Sequence, residues 1–505
     1  MFHCGVILTS EKTYGRAACG SKMLYKCVPD DASIPSLLIP YQEKDIGFHK
    51  VKYDHYITFQ IKHDTGTGKH GIMTNNFGDT NDTEAYIAYR MACADLNPTM
   101  KTLIAATLRT LRETTLSPLP LYCNGVAIED RRSWPIISID PAGCNDIDDA
   151  LGLKFLSPEE SILSIYISNV PMMLEYLNLW PFLTDRITTV YLPDKKIPLL
   201  PFALSENVCS IFQKEDRIAF VLDITLHQTC IKKISFTSAL VRVEKNYVYD
   251  AAELLGRDDY KGLLAIVRKL NNESAVRYLP TIQNSHDLVE YCMLFMNREC
   301  AKILQAKKTG IFRSATRKTA TQFEPELQEL LQNVAGEYCS YDNLKPHALI
   351  GCESYLHITS PIRRLVDIVN MLEIQAALIP WSPAAQTFIS KWKTADNLAQ
   401  INKKTKAARK LQNEIEVLQA YQKNPERIYV GIVFNKRACV SSTACASNMY
   451  QYSVYIPETK VLTTVKGPNI VGPNIVDTGT STVYLSAHLF LDEAKMTKKI
   501  RLQFF

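Results

Sequence analysis

At 505 residues the chain is long enough for two to four domains, and its 46% apolar content suits packed globular folds rather than a disordered or fibrous polymer. The formal charge of +5, from 57 basic and 52 acidic residues, fits a polyanionic partner without establishing one. The 14 cysteines, spread from Cys4 to Cys445, include no CxxC pair and no Cys/His cluster at zinc spacing. This excludes a zinc finger and points to reduced thiols, so an intracellular, cytoplasmic setting is expected, with an organellar or viral origin left open. The opening MFHCGVILTSEK lacks a basic start and a long apolar run, so no signal peptide is expected. The most apolar long window, Ile162 to Phe182, is broken by Ser164, Ser168, Asn169, Glu175 and Asn178, which excludes a membrane span there.

Along the chain, residues 1–95 alternate in short segments (Gly5 to Leu8, Leu24 to Val28, Leu37 to Ile39, Tyr56 to Ile61) separated by turn residues, a pattern that suits a small antiparallel barrel. Tyr14, Tyr25, Tyr53, Tyr56 and Phe59 are its candidates for stacking on bases or for filling its core. Residues 96–134 turn helical and then loop-like, as a connector would. Residues 135–422 form a larger domain, β-rich first (IISID, SILSIYISNV, IAFVLDI) and α-rich later, with apolar residues at helical spacing in 288–306 and 360–378. From 425 to 505 the alternation returns in RIYVGIVF, CVSS, YQYSVYIP, STVYLSAHL and KIRLQFF. The predicted class is α+β, with small barrels flanking a larger domain.

The stretch Pro135 to Leu153, PIISIDPAGCNDIDDALGL, organises the rest. An apolar run (Ile136, Ile137, Ile139) reads as a buried strand ending in a turn at Pro141 and Gly143, and Asp140, Asp146, Asp148 and Asp149 crowd its end. Carboxylates so close raise one another's pKa unless a cation neutralises them. Oxygen-only ligands suit Mg²⁺ or Mn²⁺. An acidic turn capping a following helix is the alternative reading of the same residues. The closing Glu of an EF-hand loop is absent.

IDPAGCNDIDDAL resembles the signature of the ribonuclease II / ribonuclease R (RNB) family, which includes the catalytic subunit of the eukaryotic exosome. TTVYLPDKKIPLLPFALSENVCSI (188–211) and YLHITSPIRRLVDIVN (355–370) resemble further family signatures, in the family's order. The resemblance implies an RNB-type catalytic domain over 135–422, a cold-shock-like OB barrel over 1–95 and an S1-type OB barrel over 425–505. It implies a Mg²⁺-dependent 3′-to-5′ exoribonuclease that hydrolyses single-stranded RNA to nucleoside 5′-monophosphates, with no organic cofactor and no membrane; it assigns no protein partner. Residue by residue, it implies that Asp140, Asp146 and Asp149 ligate metal directly or through water. Asp148 is the acid most needed for cleavage, and Arg363 clamps phosphate beside Arg364 and Ser360. A structural ion pair from Arg363 to Asp367, four residues on along a helix, is the alternative for that arginine. Tyr191 is expected to contact RNA near the site, Tyr249 and Glu290 to sense the 2′-hydroxyl that only RNA offers, and Arg313 to touch the backbone. The basic runs Lys302, Lys307, Lys308, Arg313, Arg317, Lys318 and Lys403, Lys404, Lys406, Arg409, Lys410 read as solvated helix faces or as a phosphate track.

The chain departs from the family at several points. Asn169 stands where the family usually has an acid, a hairpin between Arg277 and Val289 is missing together with its base-clamping aromatic, and Glu414 and Glu416 are only guesses for a late acid. GPNIV repeats in tandem at 467–471 and 472–476 with no chemistry to assign. These departures keep a second function open, a catalytically weakened RNA-binding scaffold, and a third, a Mg²⁺-dependent nuclease acting on DNA, is disfavoured by Tyr249 and Glu290.

Overall fold

The computed structural model describes residues 2–17, 21–42, 52–62, 70–114, 119, 121–228, 230–273, 278–315, 336–348, 350–438, 450–458, 461–468, 481–492 and 497–505. Strands β1 (His3–Ile7), β2 (Met23–Pro29), β3 (Leu37–Tyr41), β4 (His55–Lys62) and β5 (His70–Asp79) close into a barrel in the order β1-β2-β3-β5-β4. Alternation turns Ile7, Tyr25, Cys27, Leu37, Ile39, Ile57 and Phe59 inward. Tyr25 and Phe59 are therefore core, and Tyr56 is buried under the next helix, which leaves Tyr14 and Tyr53 as the exposed members of the aromatic set. That helix, α1 (Thr83–Cys93), is capped by Asp82, which accepts from the Glu84 N–H, and it packs Ala85, Tyr86 and Tyr89 onto Val6, Leu8 and Tyr56. Helix α2 (Lys101–Glu113) and a minimal hairpin of β6 (Tyr122–Cys123) and β7 (Val126–Ala127) lead on from it.

The central sheet has seven strands. After β8 (Glu129–Asp130) come β9 (Ile136–Asp140), β10 (Asp149–Phe155) and β11 (Glu160–Ser168), then α3 (Val170–Tyr176) and the short pair β12 (Val190–Tyr191) and β13 (Lys196–Ile197). The long strands β14 (Asp216–His227) and β15 (Cys230–Arg242) and the short β16 (Lys245–Val248) complete it, in the order β16-β9-β10-β11-β14-β15-β8. Both faces of its middle are covered, with Ile137, Leu151, Ile165 and Leu222 on one side and Ile136, Ala150, Tyr166 and Val221 on the other. That is why these strands read as nearly continuous apolar runs.

Helices α4 (Ala252–Gly256), α5 (Asp258–Glu273) and α6 (Ser285–Ala306) follow. α5 and α6 cover the first face with Leu263, Val267, Leu288, Cys292, Phe295 and Met296. The pair β17 (Ile311–Ala315) and β18 (Gly336–Ser340) precedes α7 (Leu365–Gln375), α8 (Pro383–Trp392) and α9 (Ala395–Lys423). The sequence places a helix over 360–378, but it begins only at Leu365. Ser360–Arg364 forms a turn whose backbone N–H groups are held by acids, Ser360 by Asp367 and Ile362 by Asp148. A proline at 361 also disfavours a helical residue before it.

Helix α9 joins the barrel to the sheet. Leu411, Ile415 and Leu418 share a core with α1 and Leu192, Glu414 accepts from the Tyr86 hydroxyl and lies 3.4 Å from Arg90, and Lys404 pairs with Asp95 at 2.6 Å. The guessed late acid Glu414 is thus a tie between helices, and Glu416 faces solvent. Strands β19 (Ile428–Ala438), β20 (Tyr450–Ile456), β21 (Val461–Gly467), β22 (Ser481–Asp492) and β23 (Thr497–Phe504) form a second five-stranded barrel-like sheet, ordered β21-β20-β19-β22-β23, around Tyr429, Tyr452, Val454 and Leu485. The expected α+β class with flanking small barrels is the observed one. CVSS, Arg277, Arg317, Lys318 and most of the GPNIV repeat lie outside the described residues. Among the described residues no helix is long and apolar enough to cross a membrane.

Candidate active site

The four aspartates gather where β9 ends and β10 begins. Asp140 closes β9, a turn carried by Gly143 at φ +78° reverses the chain, and Asp149 opens β10. Because a strand and not a helix follows, the capping reading has no helix to cap. Gly152 lets the strands approach: a Cβ there would lie 2.8 Å from the Pro135 carbonyl oxygen.

Asp148 is the most deeply set, 4% exposed. Its Oδ1 accepts from the Ile362 N–H at 2.9 Å, and its Oδ2 lies 3.3 Å from Nε of Arg363. Burial still pushes its carboxyl up to about 7, against the pull of that arginine. Asp140 accepts from the Ser138 hydroxyl at 2.8 Å, which in turn accepts from the Asn246 amide at 2.7 Å. Burial holds Asp140 at about 6, with Asp146 adding repulsion. Asp149 is raised well above the usual carboxylate range by burial and then by Asp140 and Asp148, and it has no hydrogen-bond or ion-pair partner among the described residues. Asp146 is placed differently: Lys196 reaches its Oδ1 at 2.8 Å, and the Tyr191 hydroxyl donates to its Oδ2 at 3.0 Å.

The turn before α7 supplies the positive side. Arg363 stacks its pairing to Asp148 on a 3.2 Å hydrogen bond from Nη2 to the Ser360 hydroxyl, and its carbonyl accepts from the Thr189 N–H. It does not pair with Asp367. Arg364 does, at 2.8 Å, and Asp367 is fully buried. Arg313, on β17, is 8% exposed and lies over the Tyr338 ring at 4.8 Å. Burial, with Arg409 and Arg364 nearby, holds its pKa below the ordinary arginine value. The Tyr338 hydroxyl and Nδ1 of His357 are 2.8 Å apart, and burial keeps that imidazole neutral, well below its usual pKa.

Tyr249 and Glu290 meet through a residue that sequence reasoning passed over. The Tyr249 ring is 5.2 Å from that of His286, whose Nδ1 lies 3.9 Å from Glu290. The Tyr249 N–H donates to the Asp140 carbonyl, and its hydroxyl is raised by burial and by Asp149 and Asp140, which puts it against the acid cluster. Tyr191 is 38% exposed at the rim. Of the residues expected from the sequence, the structure brings together Asp140, Asp146, Asp148, Asp149, Arg363, Ser360, Tyr191 and Tyr249, with Arg364 next in the turn, Arg313 near Arg364, and Glu290 linked to Tyr249 through His286.

Lys196 and Glu206, 2.7 Å apart, were missed. Burial alone would lower the Lys196 ammonium, but hydrogen bonds to Asp146 and Glu206 outweigh it and raise its pKa. The signal was the β12–β13 alternation, since Tyr191 and Lys196 are cross-strand partners on one face. One departure resolves locally. Asn169 caps α3 by accepting from the Met172 N–H and donates to Gln375, and among the described residues its side chain makes no hydrogen bond to the acids. Asn402 bonds both the N–H and the carbonyl of Tyr338, fixing β18. In the basic runs, Lys302 is held by Glu299 and Lys404 by Asp95, so these two serve the helices rather than a track.

Among the described residues no three His, Cys, Asp or Glu side chains already converge as a metal shell. The donor chemistry nonetheless fits a hard divalent cation: Asp140 and Asp149 supply only oxygens, burial and their neighbouring carboxylates raise both, and the Asp149 carboxylate has no partner among the described residues.

A family model described as RNB domain matches residues 128–278 and 267–380. Among curated proteins the chain is 25% identical over 306 residues to ribonuclease R of Helicobacter pylori strain J99, covering 46% of this chain and 47% of that protein. It is 35% identical over 128 residues to the exosome complex exonuclease RRP44 of Mus musculus, covering 25% and 13%. The chain thus spans less than half the length of these relatives. Among solved structures, Mycoplasma genitalium RNase R in complex with ribose-methylated single-stranded RNA aligns with a TM-score of 0.70 at 14% identity over 99% of this chain and 89% of that one. Yeast Ssd1, described as a pseudonuclease, aligns with a TM-score of 0.62 at 14% identity over 92% and 65%. At such identities the structural likeness speaks to the fold alone.

Proposed function

The chain belongs to the RNB-domain family, and from that premise we propose that it is a hydrolytic 3′-to-5′ exoribonuclease that shortens single-stranded RNA to nucleoside 5′-monophosphates with Mg²⁺ or Mn²⁺. The observation that carries this reading is the pairing of buried Asp148 with Arg363 across from Asp140 and Asp149. Asp140 and Asp149, with Asp146 through water, would hold the divalent cation, which supplies charge to the phosphodiester and acidity to water when bound. Arg363 offers a planar donor set to the phosphate oxygens, and Ser360 and Asp148 fix its orientation. Asp148 keeps the Ile362 N–H and Arg363 in register, so its loss would disorganise the phosphate clamp. Water adds at phosphorus and the ribose 3′ oxygen departs with a proton, which leaves a 3′-hydroxyl on the shortened strand and a 5′-phosphate on the product. Tyr249 and Glu290, linked through His286, would sense the ribose 2′-hydroxyl that separates RNA from DNA. Tyr191, at the rim beside Asp146, would contact the strand, Arg313 would reach its backbone, and Arg364 would support the turn.

The weakened-scaffold reading draws on one observation: both oxygens of Asp146 are already held by protein groups. One gel separates the readings. With 5′-labelled RNA and DNA of equal sequence, each with Mg²⁺ and with chelator, a ladder shortening from the 3′ end on RNA with Mg²⁺ alone supports the exoribonuclease. Unchanged RNA that still shifts in a binding gel supports the scaffold, and loss of DNA refutes both.

A further inference from the structure

Asp146 differs from its neighbours in the kind of partner it has. Asp140 keeps one oxygen on a serine hydroxyl, Asp149 has no partner among the described residues, and Asp148 faces an arginine that the phosphate will also need. Asp146 instead carries an ammonium group of its own. The Lys196 Nζ sits 2.8 Å from its Oδ1 and 2.7 Å from Glu206, while Tyr191 closes the other oxygen. The β12–β13 pairing sets Tyr191 opposite Lys196, so both grip the same carboxylate from one small hairpin. Lys196 is only partly exposed, which strengthens its pairing relative to a surface salt bridge.

We propose that Lys196 is a positioning residue that takes the place of a second cation at Asp146, so that the site accepts one divalent ion, between Asp140 and Asp149, rather than two. Asp140, Asp148 and Asp149 against Arg363 leave two negative charges, which one divalent ion offsets. Asp146 and Glu206 share the one Lys196 ammonium, so that corner keeps a single negative charge rather than the two that a second divalent ion would offset. A two-ion arrangement about 4 Å apart needs a carboxylate free to serve the second ion, and that ion would have to expel an ammonium anchored by two acids. In this arrangement Lys196 keeps Asp146 against Tyr191 and holds a fixed positive charge beside the strand.

The inference rests on the reading of the site as a divalent-cation site, and metal counting tests the two separately. Mn²⁺ is titrated into the full chain without RNA, and free Mn²⁺ is followed by electron paramagnetic resonance. The wild type is expected to bind one Mn²⁺, Lys196→Met two, and Lys196→Arg one again. A thermal melt checks that each variant folds; if Lys196→Met does not, Lys196→Gln, neutral yet still able to donate a hydrogen bond, carries the same expectation of two. Two Mn²⁺ in the wild type, or one in the folded neutral variant, overturns the role of Lys196 and leaves the nuclease reading standing. No Mn²⁺ bound to any form removes the cation site itself, and this inference with it.

Discussion

On the basic side of the cleft each guanidinium has something to face: the half-exposed Arg363 has Asp148 and Ser360, the partly buried Arg364 has the fully buried Asp367, and the buried Arg313 has the Tyr338 ring. On the acidic side Asp149 has no partner among the described residues, and Asp140, Asp148 and Asp149 are all raised by burial. A site that pairs its arginines and leaves desolvated carboxylates in excess carries a cost that a bound cation would offset, because uncompensated burial of charge is costly. The asymmetry teaches that the missing positive charge is meant to come from outside the chain.

The comparison breaks most sharply at Asp148. Asp148→Asn should slow cleavage of a 5′-labelled oligoribonucleotide on the order of 10³-fold while RNA affinity stays within a few-fold; near wild-type cleavage would show that the acid side does no chemistry. Next is Arg363→Lys, which keeps the charge but loses the planar donor set. It should lower kcat about a hundredfold with less change in KM, as read from initial rates. Removing an acid from each side should then have opposite effects on the metal-free protein. Asp367→Asn strands the Arg364 guanidinium and should cost about 3 kcal/mol in urea unfolding. Asp149→Asn relieves repulsion and should raise the urea midpoint in chelator. Both variants destabilising equally would abolish the asymmetry.

The pH dependence is the gentlest test. Asp140 at about 6 and Asp148 at about 7 lie above their ordinary value, so the folded chain binds more protons than the unfolded one between about pH 4 and 7. Their unfavourable contribution is therefore relieved below that window and fully present above it. His347, lowered to about 4 by burial and then by Arg313, acts in the opposite sense: the unfolded chain binds its proton first as pH falls, so its contribution to stability is complete above about 6.5 and is lost towards 4. The difference between melts in Mg²⁺ and in chelator cancels the histidine. That difference should be several degrees at pH 8 and close to zero at pH 5; a constant gap across the range would contradict the assignment of those carboxylates to a cation.

The parts of this site legible in the sequence are those fixed by local spacing. IISID followed by Pro and Gly gave β9 and its turn, and the crowding of Asp140 to Asp149 gave the acids, because neighbours in a strand–turn–strand are neighbours in space. β10 was not foreseen as a strand, since its start coincides with the acids and its Gly152 weakens the apolar run. The helix expected from 360 starts at Leu365 because Asp148, 214 residues away in sequence, holds the Ile362 N–H, a contact that no local pattern reports. The same limit hid His286 between Tyr249 and Glu290 and hid Lys196 on Asp146. It also concealed which barrel aromatics point inward: Tyr25, Tyr56 and Phe59 look like Tyr14 and Tyr53 until the barrel closes and α1 docks. Asn169, read from the sequence as a lost acid near the chemistry, is a helix cap bonded to Gln375.

The central claim is that Asp140 and Asp149 hold a divalent cation against an RNA backbone while Asp148 braces Arg363 beside it. Crystals of Asp148→Asn grown with a short oligoribonucleotide and Mn²⁺ and measured at the manganese absorption edge address it directly. The account predicts an anomalous peak between the Asp140 and Asp149 carboxylates, with the 3′-terminal phosphodiester beside it and beside Arg363. Bound RNA with no manganese at those carboxylates, or manganese there with the RNA end lodged elsewhere, would contradict it.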